Sequence, residues 1–147
     1  MEIKNNLLMT YDKAYLDSLA RVLKSEGLYS DDKLDSGGET FKGISRNNFP
    51  KWEGWVIIDE LKSKTDFKKL IAADTKLNSL VEAFYYKEFW VKVGGDKVEN
   101  VKVSGQNFDT AINMGVGPAL KFSQSVFGLK QTGVLSQELI DKLNTVT

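Results

Sequence analysis

Cysteine and histidine are both absent from the 147 residues, and proline appears only twice. Without cysteine there is no disulfide framework, no thiol nucleophile and no thiolate metal site. Without histidine, Ser-His-Asp and Cys-His machinery lacks its imidazole base, and the usual catalytic zinc sites lose a ligand. Net charge is missing too, since 20 Lys and Arg face 20 Asp and Glu. A duplex nucleic-acid binder normally carries a basic excess, so no nucleic-acid partner is expected. No apolar run approaches the length of a membrane span, so stable membrane insertion is not expected either. The apolar cluster Leu7-Leu8-Met9 is too short for a secretory signal, and none is expected. Hydrolytic chemistry on such a chain must run on carboxylates, lysine or tyrosine. Two-carboxylate glycoside hydrolysis is the commonest reaction that meets this restriction, and it requires no cofactor and no metal.

What is present is an ordinary globular composition, 41% hydrophobic and 27% charged, long enough to bury a core unaided. Helical periodicity dominates. A first helix is expected from Asp12, as cap, to just before Gly27, with an apolar stripe of Tyr15, Leu16, Leu19, Val22 and Leu23. Residues 28–49 are polar and rich in turn formers, which predicts a loop or small irregular hairpin lobe. Pro50 opens an expected second helix running through Trp52 to Leu61. Asp66 is placed to cap a third over Phe67–Ala73, and a longer helix follows over Asp74–Trp90. Residues 91–105 alternate valine and lysine around glycines and read as a connection, with room for a short hairpin. Three short helices then follow over Gln106–Met114, Pro118–Phe127 and Gln137–Asn144, with Ser136 capping the last. The expected fold is mainly α, an α+β helical bundle with one irregular lobe.

Glu26 is the most informative residue. Counting back at steps of four, three and four gives Val22, Leu19 and Tyr15, which puts a carboxylate on the apolar face. Apolar surroundings and the negative end of a helix both discourage ionisation, which is how a glutamate stays a proton donor near neutral pH. The same position also suits a helix-end glutamate turned into solvent. Downstream, Asp31, Asp32 and Asp35 lie in a loop with Gly37-Gly38, followed by Glu39 and Thr40. Such a loop can fold back to set a second carboxylate across a sugar from the first, or form nothing more than a solvated turn. An EF-hand reading fails, because Lys33 would occupy a ligand position.

Taken together, Glu26-Gly27-Leu28-Tyr29, Asp35, Gly37-Gly38-Glu39-Thr40 and Gly43-Ile44 resemble the opening signature of glycoside hydrolase family 108. In that signature Glu-Gly-Gly-Tyr is followed by Asp, Gly-Gly-x-Thr and Gly-Ile. Ala83–Trp90 resembles the family's aromatic helix. Phe108–Gly115, Gln124 and the turn from Gly128 to Gly133 resemble the peptidoglycan-binding segment that accompanies such catalytic regions. The resemblance covers about residues 10–144 and implies a lysozyme-like fold. It also implies N-acetylmuramidase activity on peptidoglycan glycan strands, with Glu26 as catalytic acid. It further implies that Asp35 and Thr40 position the attacking water, an order that points towards inversion. Asp32 rivals Asp35, and the family's threonine falls about one residue later than Thr40. One position departs: the second glycine of Glu-Gly-Gly is Leu28.

Tyr29 is the expected substrate contact beside the acid. Asn113 suits either an N-acetyl contact or a helix cap. Trp52, Trp55 and Trp90 are expected mostly in the core. The division expected is a lysozyme-like catalytic region over 1–92 and a small helical peptidoglycan-binding segment over 93–147, packed into one globule. A monomeric phage endolysin held in the host cytoplasm, or a virion-associated lytic protein, fits these features. A non-catalytic wall-binding or virion structural protein of the same fold is the alternative.

Overall fold

Asp12 and the stripe behind it start helix α1, Lys13–Ser25, in a computed structural model that describes residues 10–34, 36 and 38–147. Tyr15, Leu19 and Val22 are all buried along that stripe. The lobe expected next, as a loop or small irregular hairpin, contains a small sheet. Strands β1 (Tyr29–Asp31), β2 (Glu39–Phe41) and β3 (Ile44–Ser45) form an antiparallel sheet in the order β1-β2-β3. Tyr29 pairs with Phe41 and Asp31 with Glu39, while Phe41 pairs with Ile44 across a two-residue turn.

Helices α2 (Gly54–Leu61), α3 (Phe67–Ala73) and α4 (Thr75–Tyr85) follow. Asp74 caps α4, its carboxylate accepting from the Leu77 N–H at 2.8 Å. Asp66, expected to cap α3, makes no side-chain cap bond. The expected helix to Trp90 changes character after Tyr85, where Tyr86–Trp90 widens into a π-turn.

The expected connection over 91–105 is corrected in its second half. Helix α5 already begins at Val101 and runs to Met114. Asn100 starts it, its side chain accepting from the N–H groups of Lys102 and Val103. Ser104, Phe108 and Ala111 are its buried residues, on one face, so tertiary packing overrides the β-like Val/Lys alternation. Helices α6 (Val116–Val126) and α7 (Gln137–Leu143) complete the chain, and Ser136 caps α7 as expected.

The chain divides into two compact units. Residues to Ala20 together with Lys87–Thr147 form one, and Arg21–Tyr86 the other. In the first, Val98, Leu120, Leu139 and Leu143 make one apolar cluster, and Val93, Ala111 and Ala119 another. Tyr15, Trp90 and Phe108 meet there edge-on or tilted, with ring centres 5.3–5.8 Å apart. In the second, Phe41, Ile44, Trp55, Ile58, Ile71, Leu77 and Val81 are buried. Trp52 bridges Phe41, Trp55 and Phe84. Among the described residues no helix is long and apolar enough to cross a membrane.

Candidate active site

Glu26 sits one residue past α1, half-buried, with its N–H still bonded to the Val22 carbonyl at 3.2 Å. Its side chain lies against the β2–β3 turn. A methyl group at Gly43 would come within 3.0 Å of both Glu26 Cγ and Cδ. That turn is Lys42-Gly43, with φ of +46° and +82°. Two consecutive left-handed residues make a type I′ hairpin turn, whose twist matches the flanking strands. Gly43 therefore serves twice, in supplying the positive φ and in leaving room for the Glu26 side chain.

The opposite end of β2 carries a charged network. Glu39, on β2, is 9% exposed. Its carboxylate accepts from Tyr29 Oη at 2.6 Å and Arg46 Nη1 at 2.9 Å, and pairs with Lys62 Nζ at 2.5 Å. Arg46 also holds Asp59 in a two-pronged contact at 2.7 Å on each prong and lies over the Trp55 ring. Burial works against the Glu39 anion, but hydrogen bonds from Lys62, Tyr29 and Arg46 outweigh it and hold the carboxyl below the usual glutamate range. The Arg46 hydrogen bond brings Asp59 down to about 2. Burial, then the bond to Glu39, pushes the Tyr29 hydroxyl well above the usual phenol range.

The other residues nominated by sequence fall at several places. Thr40 is half-buried on β2, paired with Ser30 on one side and Ser45 on the other. Tyr29 gives its hydroxyl to Glu39 and stacks edge-on against Phe67, so its polar end is engaged within the protein. Asp32 is exposed and closes a local turn by accepting from the Leu34 N–H at 2.9 Å. Asp35 lies outside the described residues. Asn113 belongs to the other compact unit, exposed on α5 and 3.5 Å from Asp109. Trp55 and Trp90 are core residues, 2% and 1% exposed. Gly27 and Leu28 both have ordinary negative φ, and a methyl group at Gly27 would touch nothing within 4 Å. Leu28 therefore stands in the family's glycine position with no left-handed backbone to strain it.

The sequence alone did not mark Lys42, Gly43 and Tyr85 as the surroundings of Glu26, nor the burial of Glu39. For Gly43 a signal existed, because it belongs to the Gly-Ile end of the quoted signature. Among the described residues no group of three carboxylates is placed to hold a metal ion. A cavity of about 410 Å³ in the other unit, lined by Asp12, Trp90, Asp96, Lys97, Glu99 and Ser104 among others, contains none of the nominated residues.

A family model described as glycosyl hydrolase 108 matches residues 19–115, well over half of the chain. The chain belongs to glycosyl hydrolase family 108. The match takes in Glu26, the three strands, Gly43 and Tyr85. The solved structure of Brucella abortus SagA is similar to this family 108 chain at 28% identity and a TM-score of 0.63. The similarity covers 90% of this chain and 70% of that one. No curated protein matches it. Family 108 membership, with the α+β lysozyme-like fold, implies a glycan substrate and supports a peptidoglycan hydrolase kind of function.

Proposed function

We propose that this family 108 chain is an N-acetylmuramidase. It hydrolyses the β-1,4 bond between N-acetylmuramic acid and N-acetylglucosamine, with Glu26 as general acid. The observation that carries this reading is that the two ends of the signature meet. Glu26, from its first element, lies against Gly43, from its last, so closely that an added methyl group would meet its side chain at 3.0 Å. The half-burial of Glu26 beside the exposed Gly43 supports a role as proton donor.

In the reaction, Glu26 gives its proton to the glycosidic oxygen as the bond to the anomeric carbon breaks. Positive charge develops on the sugar ring, and water adds to the anomeric carbon. Asp35 takes the water's proton and Thr40 orients that water, with Asp32 the alternative base. Water attacking from the face opposite the leaving group gives inversion. The enzyme acts as a phage endolysin or virion-associated lytic protein on the bacterial wall.

The test is digestion of purified peptidoglycan, borohydride reduction of the soluble products and mass spectrometry. Products ending in reduced muramic acid are expected. Products ending in reduced glucosamine would overturn the bond assignment. No release, with wall binding intact, would overturn the enzyme and leave a wall-binding protein.

A further inference from the structure

The Lys42-Gly43 turn is tied down more heavily than a surface hairpin turn requires. Lysine rarely adopts a positive φ, because its Cβ is then crowded against the backbone. Such a conformation persists only where its surroundings over-determine it. Here each polar group of Lys42 is engaged. Its N–H donates to the Leu28 carbonyl at 2.7 Å, two residues past Glu26. Its ammonium donates to Asn78 Oδ1 at 2.6 Å, and its carbonyl accepts from Tyr85 Oη at 2.7 Å. Burial lowers the Lys42 ammonium below the usual lysine range, with the charge of Glu82 opposing it. Asn78, Glu82 and Tyr85 lie along one side of α4, at spacings of four and three. That helix thus grips the turn at two points.

Tyr85 is the deeper of the two. It is 2% exposed, and its hydroxyl would lie 2.6 Å from a methyl group placed on Gly43. The same methyl would be 3.0 Å from Glu26 Cγ and Cδ. Tyr85 and the acid therefore both crowd the face of Gly43 that a side chain would occupy. Burial, then the charge of Glu26, pushes the Tyr85 hydroxyl well above the usual phenol range, which keeps it a neutral donor to the Lys42 carbonyl.

We infer that Tyr85 is a positioning residue for the acid: its hydroxyl locks the Lys42-Gly43 turn into the left-handed conformation that seats the Glu26 side chain. This rests on the reading of Glu26 as acid. Without the hydroxyl, the Lys42 carbonyl is released and the turn drifts, taking with it the surface on which Glu26 is seated. The bond to Leu28 would carry that drift into the segment that follows the acid.

Three variants test this, Tyr85→Phe, Gly43→Ala and the pair combined, each compared at equal folded fraction by circular dichroism. Two readouts are taken: initial rates over a range of peptidoglycan concentrations, and the carboxyl carbon resonance of Glu26 in carbon-13 NMR, assigned by its loss in Glu26→Gln. Tyr85→Phe is expected to lower kcat about tenfold, with KM within about twofold, because a displacement well under 1 Å already misaligns a proton donor. The Glu26 resonance should move. Gly43→Ala should cost about a hundredfold, and adding Tyr85→Phe should restore part of that loss by removing the clashing hydroxyl. An unchanged kcat and an unmoved resonance in Tyr85→Phe would overturn the inference. So would a double variant no better than Gly43→Ala. If wild type releases nothing, the acid reading fails, while the resonance alone still decides whether Tyr85 holds Glu26.

Discussion

The two compact units place their polar groups differently. In the unit formed by Arg21–Tyr86, a glutamate, an arginine, a lysine and an aspartate join into one network at one end of the central strand. A second glutamate, Glu26, lies in the same unit against the left-handed Lys42-Gly43 turn. In the unit with the C-terminal helices, packing is apolar and aromatic, and the buried polar residues among those described are uncharged. Gln124 donates to the Thr132 hydroxyl and the Val134 carbonyl and accepts from the Gly133 N–H. Among the described residues the buried charge, Glu39, lies in the unit that carries the candidate acid, as expected where chemistry rather than packing dictates the residue. The other unit behaves as ordinary core.

If that contrast holds, the two units should respond to different insults. The largest loss is expected from Leu139→Ala, which empties a fully buried site among Val98, Leu120 and Leu143. About 3 kcal/mol of stability should go, read by urea unfolding. Glu39→Gln removes the charge that faces Arg46, Lys62 and Tyr29. The expected loss is about 2 kcal/mol, below the range for fully buried pairs, because Arg46 and Lys62 keep about a third of their side chains in water. A loss from Glu39→Gln exceeding that from Leu139→Ala would reverse the ranking. Ser136→Ala removes the cap of α7 and should cost about 1 kcal/mol.

The mildest test is acid. Glu39 and Asp59 both titrate below their ordinary values of 4.5 and 3.8, Asp59 at about 2. Their contribution is complete above the ordinary values and is lost as pH falls through the lowered ones. Between about pH 4.5 and 2 the sheet-bearing unit should weaken first. Fluorine-labelled tryptophan would show this, since Trp52 and Trp55 report on that unit and Trp90 on the other. A Trp90 signal that changes ahead of the other two would break the comparison.

Sequence reasoning succeeded where local chemistry decides. Asp12 and its apolar stripe located α1, and the serine cap located α7. The signature around Glu26 located the family. It failed where distant residues decide. Asn100 and the buried Phe108 and Ala111 turn a β-like run into helix. Asp66 has the right type and place to cap α3 but does not do so. No local signal marks a lysine held left-handed, because the partners that hold it come from residues 28, 78 and 85. Glu39 looked like one more loop charge, since Arg46, Asp59 and Lys62 become its neighbours only after folding.

The central claim, that Glu26 is the acid, is tested most directly by wild type and Glu26→Gln on the same peptidoglycan, at matched folded fraction and with wall binding measured alongside. Glutamine keeps the shape but has no proton to give. Release of soluble muropeptides should fall at least about a hundredfold with binding unchanged. Equal release by both proteins would contradict the account.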